Sequence, residues 1–334
     1  MTSVRLRSET VVDLVDLSYS EADDESFHDQ LLRHMLTIVP GARTSGKYEY
    51  RMRDLAEGCS LKVTSPLHIL GDDHRGTDSV YAIEKAPPLI LEKLFRRTQA
   101  TTASVQTGLG PAVFESPEWT SMWRPPVVDA IGLSICETSG EGAVVFTGLT
   151  ATTVLTPRQE ALLTKVAMHL GAGHRLRRKR GLGPDHDRLK TAEAILAPNG
   201  KVLHVHETAK KKLDQLDDGR RRRDEAKKTK HDAEKALDIW KGLVAGRWSL
   251  VDHFDTDGKR FLLAVKNTPR VDRRADLTPR ERRVCTLVAM GHRDKEISYL
   301  LGLSLGSITA SLHRARVKLD VKSRAELVTA WKKR

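Results

Sequence analysis

Gly306, Thr309, Ala310, His313 and Val317 recur at intervals that place them on one face of a helix, at 100° per residue. Ile308, Leu312, Ala315 and Leu319 follow at +4, +3 and +4 and define the opposite, apolar stripe. A helix face of small residues can bring its backbone close to the base edges of a nucleic acid. Arg314, Arg316 and Lys318 stand on the flanks of that face, where phosphate contacts are expected. Ser304 precedes the helix as a cap and joins the phosphate-side set.

Other residues capable of chemistry do not assemble into a site. His204 and His206 alternate on a candidate strand and share a face, but no third ligand has diagnostic spacing, and His253 alone is a candidate. His169 and His174 flank Gly-Ala-Gly five residues apart, the wrong interval for one helical face. Cys59, Cys136 and Cys285 lie too far apart for a CxxC site or a disulfide framework. Phosphate-binding glycine loops and nucleophile elbows are missing from the sequence. Trp240, Trp248, Phe254 and Phe261 are expected in the core, as is Cys285. No metal, cofactor or catalytic constellation is expected, so the chain does not read as an enzyme.

The elements around the C-terminal helix are legible in turn. Thr278-Pro279-Arg280-Glu281 is a capping box with proline at the first helical position, and Gly291 suits that helix's end. A short second helix runs from about Asp294 to Leu301, and Gly302-Leu303-Ser304 is the turn into the third. Ser323-Arg324-Ala325-Glu326 opens a fourth. Two short helices joined by a glycine-containing turn, the second one longer, form a helix-turn-helix, whose second helix enters the major groove.

Charge agrees with this placement. The 334 residues carry +12, and residues 271–334 alone hold 15 Lys and Arg against 7 Asp and Glu, a surplus of +8. A basic terminal module on a nearly neutral body fits nucleic-acid binding. With 39% hydrophobic and 30% charged residues, the remainder has enough apolar material to fold.

Upstream, FHDQLLRHMLTIV after Asp23 and Asp24 reads as a helix, SLKVTSP as a strand, and Leu89–Arg97 as a helix. DAIGLSIC (129–136) and GAVVFTGL (142–149) read as an antiparallel pair. Thr156-Pro157-Arg158-Gln159 caps a long helix with Leu162, Leu163, Val166, Ala167 and Leu170 on its apolar face. Gly181, Gly183 and Pro184 mark a boundary. AEAILAPNGKVLHVH and WSLVDHFDTDGKRFLLAVKN each read as strand, turn, strand, around a charged surface helical stretch at Lys210–Leu243. The runs RLRRKR (175–180), KKK (210–212) and RRRR (220–223) are considered as auxiliary DNA contacts, RLRRKR foremost. The run VVDLVDL lacks the acidic pair that a phosphoacceptor domain needs at its first strand.

LTPRERRVCTLVAMG (277–291), KEISYLLGLSLGSI (295–308) and KLDVKSRAEL (318–327) resemble the C-terminal DNA-binding domain of LuxR-type transcription regulators, also found in NarL and FixJ response regulators. The resemblance implies a four-helix domain whose third helix reads DNA and whose fourth often dimerises. By position it makes Thr309, Ala310 and His313 base-facing, puts Ser307 and Arg316 on the phosphate side, and gives Glu281 and Glu296 a structural role. Many members carry Lys where Thr309 stands and His where Ser311 stands, so the readout positions differ from theirs. DAIGLSI, GAVVFTGL and the TPRQEALL helix resemble the end of a GAF-type sensor domain, and AILAPNGKVLHVH with DGKRFLLAVKN a PAS-type fold.

The expectation is a multidomain chain: an α+β (GAF/PAS-like) sensor region followed by an all-α four-helix helix-turn-helix domain. Residues 1–183 form the GAF-like part, 188–268 the PAS-like part, 269–276 the linker and 277–334 the LuxR-type domain. Expected partners are double-stranded DNA and a second copy of the chain as homodimer. RNA polymerase is a further partner to consider, with an unidentified small-molecule or protein signal at the N-terminal region. No membrane association is expected, and the expected location is cytoplasmic. Two rival readings are a sigma-factor-like module meeting RNA polymerase and promoter together, and a helical protein-interaction module.

Overall fold

A computed structural model describes residues 2–332 apart from 4–5, 21, 40, 56–57, 72–82, 116, 118–119, 121–126, 138–139, 181–187, 211–212, 246–247, 255–257, 268–276, 290, 302 and 320. The chain divides into two compact units, Met1–Pro269 and Arg270–Arg334. The expected linker 269–276 and the boundary residues Gly181, Gly183 and Pro184 lie outside the described residues, as do Gly302 and Asp320.

The first unit begins with α1 (Ser8–Ser18) and α2 (Asp24–Ile38). The run VVDLVDL is thus helical, with Val11, Val12, Leu14, Val15 and Leu17 all buried. Asp23 caps α2, its carboxylate accepting from Ser26 N at 2.9 Å. A six-stranded antiparallel sheet follows, built from β1 (Ala42–Leu55), β2 (Gly58–Val63), β3 (His68–Leu70), β4 (Gln99–Thr102), β5 (Asp129–Cys136) and β6 (Glu141–Leu149). Its order is β2-β1-β6-β5-β4, with β3 on β1. The expected pairing of β5 with β6 is present, Leu133 opposite Val145.

Alternation along these strands sorts side chains onto two faces. Ile131, Leu133, Ile135, Ala143 and Val145 face a core shared with α1, α2 and the long helix α5 (Pro157–Arg180). Tyr48, Tyr50, Met52, Val144 and Phe146 face a second core under α3 (Pro88–Phe95). The α5 capping box forms as read: Thr156 N donates to Gln159 Oε1 at 2.9 Å and Gln159 N to Thr156 Oγ1 at 3.3 Å. Gly173 lets α5 approach α1, since a Cβ there would meet Ser18 O at 2.5 Å.

A four-stranded antiparallel sheet completes this unit: β7 (Ala194–Leu196), β8 (Val202–Val205), β9 (Trp248–Phe254) and β10 (Arg260–Lys266), in the order β8-β7-β10-β9. Between β8 and β9 lie α6 (Leu213–Lys228) and α7 (Ala233–Ala245). Residues 1–183 and 188–268, expected as separate domains, contribute to one continuous core, from Val11 through Leu170 to Trp240 and Leu263.

The sequence reading misplaces two features. The stretch read as a surface helix buries Leu216, Arg223 and Ala226, and Arg223 reaches inward to Asp252. Phe254, expected in the core, is 57% exposed at the end of β9, whereas Trp240 and Trp248 are buried as expected and Phe261 is half-buried. His169 and His174 are both buried and serve separate partners: Tyr19 Oη lies 2.8 Å from His169 Nδ1, and Glu49 Oε1 lies 3.6 Å from His174 Nδ1.

The second unit is all-helical: α8 (Pro279–Ala289), α9 (Asp294–Leu301), α10 (Leu305–Leu319) and α11 (Arg324–Lys332). Leu277, Val284, Cys285, Val288, Ile297, Ile308, Leu312, Ala315 and Leu327 form its core. Gly291, at φ +96°, ends α8 in the left-handed region open to glycine, and His292 N bonds back to Leu287 O at 3.1 Å.

Candidate nucleic-acid interface

The stripe on α10 settles which way that helix faces. Ile308, Leu312 and Ala315 are buried, and Leu319 is half-buried beside them. Thr309, Ala310, His313 and Val317 are exposed, Val317 at 68%. An ideal Cβ added at Gly306 would have no neighbour within 4 Å, so the first turn is open on that side.

Local hydrogen bonds fix this helix. Ser304 caps it, its Oγ accepting from Ser307 N at 3.3 Å and donating to Ser307 Oγ at 2.9 Å. The turn before it is tied twice: Leu303 N donates to Ser298 O, and Ser298 Oγ donates to Leu303 O. Thr309 Oγ1 donates to Leu305 O at 3.1 Å, which turns its hydroxyl toward its own helix. Ser311 is buried and bonds Ser307 O at 2.8 Å.

The flanks are organised by one acid. Glu281 is 2% exposed. Its Oε2 accepts from Lys318 Nζ and from Thr278 N, both at 2.8 Å, while Oε1 faces Arg314 Nε at 3.3 Å. Burial alone would raise its pKa, but the Lys318 ammonium and the Thr278 N–H outweigh it and hold the carboxyl at about 2. Glu281 thereby closes the α8 capping box and fixes α10 to α8 with two charge-assisted bonds. Of the expected phosphate-side residues, Arg314 and Lys318 thus carry an internal partner, and Arg316 Nη1 reaches Lys322 O at 3.5 Å. Ser304 and Ser307 are occupied with the cap.

Glu296 also has the structural role read for it, accepting from Arg293 N at 2.8 Å ahead of α9. Ser323 caps α11 through Glu326 N at 3.0 Å. Burial pushes the Cys285 thiol up to about 11, as befits a small core residue.

Residues 275–330 match the family model of bacterial regulatory proteins of the luxR family. This segment is a LuxR-type helix-turn-helix domain. Such a domain supports a DNA-binding transcriptional regulator. A comparison of the chain with curated proteins gives no match.

The runs weighed as auxiliary DNA contacts behave differently from this surface. Arg175 meets Glu137, Arg177 is 8% exposed with its Nη1 on Ala22 O, and Arg178 meets Glu141. Arg220 and Arg222 pair with Asp217 and Asp218 along α6, and Arg223 is buried against Asp252. His204 and His206 are both exposed, and among the described residues no group of three or more His, Cys, Asp or Glu is placed to hold a metal ion. No helix among the described residues is long and apolar enough to cross a membrane.

Proposed function

We propose that this chain is a transcriptional regulator whose α10 lies in the major groove of duplex DNA, with Thr309, Ala310 and His313 against base edges. The observation that carries the reading is the pairing of a buried stripe with an open, small-residue face on one capped helix of a luxR-type domain. Ser304, Ser307, Arg314, Arg316 and Lys318 line the phosphate side in this reading, with Glu281 setting the angle of the two cations it holds. With its hydroxyl turned to Leu305, Thr309 offers a methyl group, as does Ala310, and both suit the 5-methyl of thymine. His313 supplies the hydrogen-bonding group of that face.

Residues 1–269 act as the sensor region, GAF-like in the six-stranded sheet and PAS-like in the four-stranded one, and respond to a small-molecule or protein signal. Two copies bind as a homodimer to half-sites about 34–36 Å apart, and RNA polymerase is a second partner in the cytoplasm. The test is binding of the full chain to random-sequence duplex DNA over a salt series. The expected result is an affinity that falls linearly in a log–log plot as salt rises. No binding at low salt, or an affinity indifferent to salt, contradicts the reading.

A further inference from the structure

The face of β1 toward α2 and α5 is polar where the neighbouring strand β6 is apolar. Ser45, Lys47 and Glu49 point to that face, while β6 presents Ala143 and Val145. Lys47 is 5% exposed, so its ammonium has few water partners. It donates to Glu49 Oε1 and to His28 Nε2, each at 3.1 Å. An ammonium has no lone pair, so His28 must offer an unprotonated Nε2 to make that bond. The His28 ring in turn lies on His68 of β3, centroids 3.9 Å apart and planes 32° apart. One cation and two imidazoles thus join α2, β1 and β3.

We propose that His28, His68 and Lys47 form an acid-released latch: protonation of the imidazoles breaks the bond to Lys47 and frees α2 from β1 and β3. Among the described residues, charged groups face the latch from α2, β1 and α5. Asp24 on α2 favours a charged imidazole, as does Glu49 of β1 toward His68; Lys47 and Arg177, on β1 and α5, oppose it at His28. Burial acts first and Lys47 next, and together they hold His28 at about 3; His68 is lowered by burial and by Lys47 as well. His174, on α5, shares Glu49 and is lowered to about 4, chiefly by burial. A histidine ordinarily titrates near 6.5, so the latch is closed above that pH, and each fall below it favours the open form, in which His28 is free to charge. Other ties on α2 among the described residues include Ser45 Oγ to Leu32 O, Arg177 against Asp24 and over Phe27, and the buried Leu31, Leu32, Met35 and Ile38. They restrict the response to an opening equilibrium.

The test is amide hydrogen exchange of the full chain at pH 8 and pH 5, corrected for the intrinsic exchange rate. The opening constant of α2 amides is expected to rise about tenfold at pH 5, after allowance for solvent screening of a half-exposed ring. His28→Gln keeps an acceptor for Lys47 without a proton site, and should flatten the pH response of α2. An α2 response in the wild type that stays within twofold, or one that persists unchanged in His28→Gln, overturns the latch. Should that variant fail to fold, the imidazole signals of the wild type decide: a stacked His28–His68 pair titrating well below 6.5 supports the latch, and titration of every histidine near 6.5 overturns it.

Discussion

In residues 1–269 the arginine runs face carboxylates of their own unit. Arg175 meets Glu137, Arg178 meets Glu141, and Arg223 grips Asp252 and Asp16 from a site 1% exposed. In residues 270–334 Arg280, Arg283, Lys295 and His313 stand exposed, and the buried acid Glu281 holds Arg314 and Lys318 at the flank of α10. Both units hold dense runs of positive charge, yet pairing within the fold separates them. A local count of arginines does not locate a DNA surface, because burial and partner decide which cations can meet a phosphate.

That contrast can be broken at several points. The largest effect is expected at Arg223, whose truncation leaves Asp252 without its bidentate partner in a mostly buried place. Arg223→Ala should destabilise the first unit by about 3–5 kcal/mol, measured by denaturant unfolding. A loss under about 1 kcal/mol would mean that the network is not structural.

Next comes Glu281, where one substitution removes a helix cap and two charge-assisted bonds. Glu281→Ala should cost the second unit about 2–3 kcal/mol and weaken DNA binding with it, since α10 loses its fixed angle. Unchanged unfolding of residues 270–334 in that variant would remove the clamp from the account.

Acid should separate the units. His169 is fully enclosed between Tyr19 and Trp240, and burial lowers it to about 3. Its folded value lies below the ordinary 6.5, so its contribution to stability is complete above 6.5 and falls away as pH drops below that. The loss from His169 alone reaches about 2 kcal/mol at pH 5. Glu281 works lower on the scale: held at about 2 instead of 4.5, its contribution is complete above 4.5 and is lost between those values. Circular dichroism over an acid titration should show the first unit melting before the second. The reverse order contradicts these assignments.

The smallest effect is expected at the arginine run of α5. Arg178→Gln loses a partly exposed bond to Glu141, and should change the DNA affinity of the full chain by less than about twofold. A tenfold fall would make that run a second DNA surface and erase the contrast.

Short-range chemistry was the legible part of this molecule. The boxes Thr156–Gln159, Thr278–Glu281 and Ser323–Glu326 each pair residues three positions apart, so cap and partner are visible close together in the sequence. The stripe Ile308, Leu312, Ala315 repeats within one helix, and the β5–β6 pair shows itself by runs of apolar residues about a turn. What stayed hidden depends on partners far along the chain. Arg223 finds Asp252 at 29 residues and Asp16 at 207, and no spacing announces either. Strand β1 escaped notice because its inner face carries Ser45, Lys47 and Glu49, which breaks the apolar alternation by which strands are recognised. Phe254 looked like core by residue type alone, whereas its position at the end of β9 leaves it in solvent. On α10, the sequence placed Thr309, Ala310 and His313 on one side of a helix, but that Glu281 already engages Arg314 and Lys318 required the fold.

The most direct measurement is the affinity of the full-length Ala310→Glu variant for duplex DNA at low salt, beside the wild type. Ala310 is exposed and outside the core, so the variant should melt at the wild-type temperature. A carboxylate in the centre of the proposed contact face should lower DNA affinity at least tenfold by repulsion from the phosphates. Wild-type affinity in a fully folded Ala310→Glu protein would contradict the placement of α10 against DNA.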